Sequence, residues 1–300
     1  MKDEALFAEQ RARLFGLAYR LTGSAEDAED AVQEAFVRLL EGGTSLAAGE
    51  RAFWLVRVTT NLAIDALRRR KRRAYVGPWL PSPVDAAGDI DEAADARYDR
   101  LESATFAFLV ALEALGPRQR AVLLLRDVVG APAREVARIL ALSEANVRVI
   151  HTRARRAMET YDRSRCAPTA ELQARHRAAL EGFLGALLAQ DVSALEAWLA
   201  ESARTVTDSA GNYTALASEL EGRARVARFY VQAARNRQTG EPRAEIRILN
   251  GLPALVIRLG RPVRRQAPLT VIGLELDGEG RIARVLTVLA TRKLAALARS

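Results

Sequence analysis

The chain has 300 residues, more than one ordinary domain, and its 49% hydrophobic and 27% charged residues exclude wholesale disorder and a collagen-like or membrane-dominated chain. Lys plus Arg at 45 against Asp plus Glu at 37 leave +8 and a sequence pI near 10.2, which points to a polyanionic partner, nucleic acid first. The single cysteine, Cys166, excludes a disulfide framework, a four-thiolate zinc site and a C-x-x-C redox pair. Acids in Met1-Lys2-Asp3-Glu4, and the lack of any run of ~18 apolar residues, predict a cytoplasmic chain that is neither exported nor membrane-spanning.

The first predicted helix carries an apolar stripe through Leu14, Leu17, Ala18 and Leu21, and Thr22-Gly23-Ser24 ends it. Ser24-Ala25-Glu26-Asp27 resembles a capping box opening the next helix. There Ala28, Ala31, Val32, Ala35, Phe36 and Leu39 turn inward, leaving Glu26, Asp27, Glu29, Asp30, Gln33 and Glu34 outside. Such a face suits a protein partner better than DNA. A third helix over 51–68 is anchored by Phe53, Trp54, Val58, Leu62 and Leu67, with Trp54 read as core ahead of base stacking, and it runs into six consecutive cations, Arg68 to Arg73. Basic side chains at that end complement the helix dipole, while Asn61 and Arg68 lie on a separate surface able to approach bases and phosphates.

Pro78, Pro81 and Pro83 then break any helix, and Val84 to Glu102 holds seven acids and two arginines, too polar a stretch to bury much. Residues 78–102 are therefore expected to be a connector. From Thr105 to Met158 helical spacing returns, interrupted at Gly116-Pro117 and at Gly130-Ala131-Pro132. Ala133 to Leu140 forms a short helix, Ser143 caps the next, and Val147, Ile150, Ala154 and either Ala157 or Met158 face inward. Asn146, Arg148, Arg153, Arg155 and Arg156 are left outside. Two helices joined by a short turn, the second strongly basic, have the geometry of a helix-turn-helix with its second helix in a major groove. Six arginines against two acids between Asn146 and Arg165 favour phosphate contact over a merely solvated face. His151 either contacts DNA or packs beside Asn146 or Arg155.

After a break at residues 165–169, a helix over 172–188 precedes short runs at 205–207, 246–249, 252–259, 269–276 and 282–289 that read as strands, so the last third is α+β. Trp198, Asp208, Tyr213 and Asn250 are candidates to line a pocket there, and their spacing carries no catalytic mechanism. H-E-x-x-H, G-x-S-x-G and P-loop patterns are absent.

Ala28-Glu29-Asp30-Ala31-Val32-Gln33-Glu34-Ala35-Phe36, Trp54-Leu55 through Asn61 and Asp65, and Leu115-Gly116-Pro117 through Arg156 resemble regions two and four of bacterial extracytoplasmic-function (ECF) sigma factors. Trp79-Leu80-Pro81-Ser82-Pro83 is similar to the linker motif of the subgroup with a C-terminal SnoaL-like, NTF2-fold domain, and residues 172–300 resemble that domain. The subgroup's Asp-Gly-Gly-Gly-Lys motif stands here as Asp208-Ser209-Ala210-Gly211-Asn212, its Asn-Pro-Asp-Lys-Leu as Ala290-Thr291-Arg292-Lys293-Leu294, and the aromatic usual after the helix-turn-helix glycine as Ala131. The resemblance implies a multi-domain chain: a region 2 helical bundle over 1–77, the linker over 78–102, a region 4 helix-turn-helix over 103–165 and an α+β NTF2-like cone over 172–300.

It further implies that Asp30, Gln33 and Glu34 dock on the β′ clamp helices of core RNA polymerase, that Asn61, Asp65, Arg68 and Arg69 meet the −10 promoter element, and that Asn146, Arg148, His151, Thr152 and Arg155 read the −35 element. The leading expectation is a sigma factor, not an enzyme, with core polymerase and promoter DNA as partners and no cofactor, metal or membrane. A small ligand of the last domain is a further expected partner, that domain regulating activity by contact or by ligand. The alternatives are a free-standing helix-turn-helix repressor with a ligand-sensing tail and, third, a pocket enzyme.

Overall fold

The computed structural model describes residues 2–42, 48–73, 75–85, 96–237 and 241–298. Residues Met1–Ala74 and Ala86–Ala167 form one compact unit, and Tyr75–Asp85 with Pro168–Ser300 form the other.

In the first unit α1 (Lys2–Thr22), α2 (Ala25–Gly42) and α3 (Ala48–Arg72) pack together. The Ser24 hydroxyl accepts the Asp27 N–H at 3.2 Å, which starts α2 as the capping residues require. The α2 positions expected inward are all buried, and Leu14, Val32, Phe36, Leu39 and Leu55 form the core, with Trp54 packed against it. This unit continues with α4 (Phe106–Ala111), α5 (Pro117–Asp127), α6 (Ala133–Leu140), α7 (Glu144–Ala157) and the short α8 (Glu159–Asp162). Pro117 opens α5 where its missing N–H costs nothing, and the Gln119 side chain accepts the Gly116 N–H at 2.9 Å. At the turn into α6, Gly130 adopts φ +74° and Ala131 is buried, so alanine fills the place where the family usually carries an aromatic.

Buried charge ties the early helices to the later ones. Arg20, 1% exposed, donates to Ser103 Oγ and to the Gly16 and Arg100 carbonyls. Arg120, also 1% exposed, donates to the Leu21 and Leu112 carbonyls and shares Glu113 with Arg70. The two guanidinium groups hold the Glu113 carboxyl below its usual range against the opposing effect of burial.

The second unit contains α9 (Ala170–Ala189), α10 (Val192–Trp198), β1 (Leu199–Asp208), β2 (Leu220–Glu221), α11 (Arg223–Arg237), β3 (Pro242–Leu249), β4 (Leu252–Leu259), β5 (Leu269–Leu276), β6 (Ile282–Val288) and α12 (Ala295–Ala298). The sheet has six strands in the order β2-β1-β6-β5-β4-β3, with β1 and β6 parallel and the other pairs antiparallel. Helices α9, α10 and α11 cover one face, where Phe183, Tyr230, Leu255, Ile272 and Val285 share a core. Successive strand residues point to opposite faces, yet Ala254 and Val256 are as buried as Leu255. The second face is therefore covered too, which explains the continuous rather than alternating apolar strand runs. Helix, helix and sheet in this order give the α+β, SnoaL-like architecture that the resemblance implies.

The segment expected as a polar connector departs from that reading at both described ends. Leu80 to Val84 are buried in the second unit, and Tyr98 and Glu102 are fully buried in the first. Counting acids overlooked that the buried Glu102 is matched: Arg165 donates to both Glu102 oxygens and the Tyr161 hydroxyl donates to Oε1 at 2.8 Å. Burial, with the Glu102 carboxylate beside it, pushes the Tyr161 hydroxyl pKa up. Residues 86–95 of the expected connector lie outside the described residues. Among the described residues no helix is long and apolar enough to cross a membrane.

Candidate nucleic-acid interface

Helix α2 exposes Asp30, Gln33 and Glu34 because Ala31, Val32 and Ala35 beside them are taken by the core. With Val37 of α2 and Leu62, Ala66 and Arg69 of α3 they line a groove of about 480 Å³. Glu34 pairs with Arg38 at 2.8 Å, one turn on, and Glu29 with Arg11 at 2.8 Å; such exposed pairs contribute little, so the face remains available to a partner.

Asn61, Asp65, Arg68 and Arg69 are exposed on α3, and the structure brings all four to one side of the helix. Arg68 pairs with Asp65 at 2.8 Å, and the Asn61 amide donates to the Arg57 carbonyl at 2.8 Å and to that of Ile139 on α6 at 3.4 Å. The cationic run is not uniform: Arg70 turns inward to Glu113 and the Thr22 carbonyl, whereas Arg68, Arg69, Lys71, Arg72 and Arg73 stand at the surface, with Lys71 donating to the Leu115 carbonyl.

On α7 the Ser143 hydroxyl accepts the Asn146 N–H at 3.2 Å, setting the helix start. Asn146, Arg148, Thr152, Arg153, Arg155 and Arg156 are exposed, with Val147 and Ala154 fully buried on the opposite side. His151 falls on the inner side: its side chain is 16% exposed and Nε2 lies 2.7 Å from Asp127 Oδ1 on α5. It is therefore turned in toward α5, whereas Arg148 and Arg155, three and four residues away along the helix, are exposed.

Each of the four pocket candidates of the second unit has close neighbours of its own. Trp198 packs its indole against Gly182 of α9, and Tyr213 bonds to Thr291 at 2.9 Å. Asp208 and Asn250, both buried, hold the segment Tyr75–Asp85, here called the strap. Asp208 Oδ1 accepts the Tyr75 hydroxyl at 2.6 Å, and Oδ2 accepts the Leu80 N–H at 2.8 Å and the Lys293 ammonium. Lys293 also donates to the Leu80 carbonyl and sits 4.8 Å and 4.4 Å from the Tyr75 and Trp79 ring centroids, a cation held against two aromatic rings. Asn250 exchanges two bonds with the Val84 backbone, at 3.1 Å and 2.9 Å, and Arg247 grips Asp85 through two bonds of 2.8 Å. The sequence offered Asp208 and Asn250 as pocket-lining candidates; their partners in the structure are strap groups. Lys293 was overlooked as a site, although its place in the terminal motif was the available signal. Among the described residues no group of His, Cys, Asp and Glu is placed to hold a metal ion.

An acidic helix face beside a basic one, and a helix-turn-helix with an arginine-rich second helix, define a transcription factor built on helical nucleic-acid-binding modules. Residues 6–73 match the family description Sigma-70 region 2, and residues 105–158 match Sigma-70, region 4. The chain is 34% identical over 225 residues to the ECF RNA polymerase sigma factor SigJ of Mycobacterium tuberculosis (strain ATCC 25618 / H37Rv), covering 74% of this chain and 70% of that protein. It is 32% identical over 195 residues to the probable ECF RNA polymerase sigma factor SigI of the same strain, covering 64% of each. The crystal structure of Mycobacterium tuberculosis SigJ superposes with a TM-score of 0.71 at 26% identity, covering 97% of this chain and 98% of that one. The chain belongs to the ECF RNA polymerase sigma factors, the subunits that direct the polymerase to promoters.

Proposed function

We propose that the α2–α3 groove is the core-polymerase docking surface, with Asp30, Gln33 and Glu34 meeting the β′ clamp helices. Asn61, Asp65, Arg68 and Arg69 then engage the −10 element, and Asn146, Arg148, Thr152 and Arg155 the −35 element. The observation that carries this reading is the groove itself, in which exposed α2 acids face Leu62, Ala66 and Arg69 of α3. A protein-binding face and a DNA-binding face thus adjoin on one rigid helix pair, so polymerase docking positions the promoter contacts.

The second unit is proposed to regulate initiation through contact, not to catalyse a reaction. Against its sheet the Tyr230 hydroxyl of α11 bonds to the Thr205 and Thr287 hydroxyls, each at 2.7 Å, and Phe183, Leu255 and Ile272 pack in the same core. Asp208 and Asn250, both buried, serve the strap. This arrangement favours regulation through protein contact over regulation by a small ligand.

Core-dependent run-off transcription tests the reading. Initiation is expected only when this chain is added to core polymerase, and Asp30→Arg with Glu34→Arg is expected to weaken co-migration with core by about tenfold or more through like-charge and steric mismatch. Tight promoter binding by the chain alone, or unchanged co-migration of the double variant, overturns it.

A further inference from the structure

We infer that His151 is a positioning residue for −35 recognition: its bond to Asp127 fixes the rotation of α7 on α5, and so sets where Arg148, Thr152 and Arg155 fall along the groove. This inference rests on the proposed reading of α7 as the promoter-reading helix.

Inward positions of α7 follow the helical repeat, Val147, Ile150, His151, Ala154 and Met158, and four of the five are apolar. Val147, Ala154 and Met158 are at most 1% exposed. Contacts of this kind are non-directional, and alanine leaves no large knob to hold a helix against rolling. The His151–Asp127 bond differs in kind, because a hydrogen bond weakens steeply outside a narrow range of distance and angle. Its acceptor is itself fixed: Asp127 ends α5, is 7% exposed, and its carbonyl accepts the Tyr98 N–H at 3.0 Å.

Stability alone does not account for the pair. Asp127 Oδ2 is buried without a hydrogen-bond partner among the described residues, a cost that an apolar pair of similar size at these positions would avoid. What the pair supplies is direction. At a side-chain radius of about 6 Å, a roll of ~20° carries the tips of the exposed side chains about 2 Å, enough to break base-edge hydrogen bonds. Arg148, 67% exposed in its side chain, is braced at 2.9 Å by Glu144 of the same helix, so the pair turns with α7 and depends on that rotation.

The test uses the full chain assembled with core polymerase and promoter fragments carrying an intact −35 element, each single substitution of it, or none. His151→Leu keeps the volume and removes the bond; it is expected to lower the preference for the intact element about tenfold, spread over all −35 positions, with binding to the fragment lacking the element unchanged. Asp127→Ala should do the same, the double variant should be no worse than either single one, and His151→Gln, which retains a donor, should recover to within about threefold. A loss confined to one base pair, with Asp127→Ala neutral, makes His151 a base contact and overturns the inference. Additive losses, or no recovery with His151→Gln, reduce the pair to ordinary packing and overturn it equally. Arg155→Ala separates the two levels: if it leaves the −35 preference intact, α7 is not the reading helix, and the parent reading falls with the inference, whereas a loss there with His151→Leu silent removes the inference alone.

Discussion

Gly182 shows how one atom can fix a helix pair. A Cβ built there would lie 2.0 Å from Trp198 Cε2, far inside contact distance, so α10 can pack its indole on α9 only because the side chain at 182 is a hydrogen. Gly182→Ala is expected to push the indole off its seat and destabilise the second unit by about 1–3 kcal/mol, the usual cost of overpacking, despite alanine's better helix propensity. Tryptophan fluorescence and the unfolding midpoint check it; a variant as stable as the parent with unchanged emission would mean the helices slide apart freely. Residue-scale features like this were the least legible in the sequence. Gly182 and Gly185 stand three apart on the same helix and look alike in the chain, yet nothing approaches Gly185. Ala141 likewise gives no sign of its left-handed φ of 51°, which the tight turn between α6 and α7 imposes. His151 was legible as ambiguous, and only the position of Asp127 decides where it belongs.

At the scale of elements the sequence was a good guide wherever a period or a cap carried the signal. The spacing predicts a helix over 133–140 and strands over 252–259 and 269–276, and α6, β4 and β5 have those bounds. It fails for the strap, whose prolines and flanking acids read as solvated linker while Leu80 to Val84 are buried. Periodicity has no access to such a segment, because irregular chain is held by particular partners and not by a repeat. Those partners also make the strap breakable. Asp208 is fully buried and carries the Tyr75 hydroxyl, the Leu80 N–H and Lys293 together. Asp208→Ala leaves the Lys293 ammonium buried without its counter-charge, and breaking such a pair costs about 3–5 kcal/mol, more than the ~1.5–3 kcal/mol gained by burying a side chain such as Leu80. The strap should therefore detach before the sheet unfolds. Hydrogen exchange is expected to show lost protection over 75–85 with β4, β5 and β6 still protected; simultaneous loss everywhere would mean that strap and sheet are one cooperative element.

For the molecule as a whole, a net charge of +8 hides a division of labour in which α2 carries the acidic face and α3 and α7 the basic ones. That division was readable because charge segregates by helix in the sequence. The buried charges were not, because a pattern-based reading assigns Arg20 and Arg120 to the surface by type. His176 shows what such burial does to the response of the chain to pH. It is 2% exposed on α9, its Nδ1 has no hydrogen-bond partner among the described residues, and burial, assisted by Arg175, lowers its pKa from the ordinary 6.5 to about 4. A folded-state pKa below the unfolded one means that the unfolded chain binds the proton more readily. The contribution to stability is therefore fully present above about 6.5, declines as pH falls between 6.5 and 4, and is gone below 4, with a ceiling of about 3 kcal/mol. His176→Leu removes this titration, so the difference between variant and parent isolates it from the carboxylates that titrate in the same acid range. Denaturant unfolding of the full chain, followed at the second unit, should give a constant difference above about pH 7 that moves in favour of the variant by up to ~3 kcal/mol as the pH approaches 4. A difference that stays constant through the whole range would show that His176 is protonated as readily in the fold as in water, and that the neutral buried imidazole is not what α9 holds.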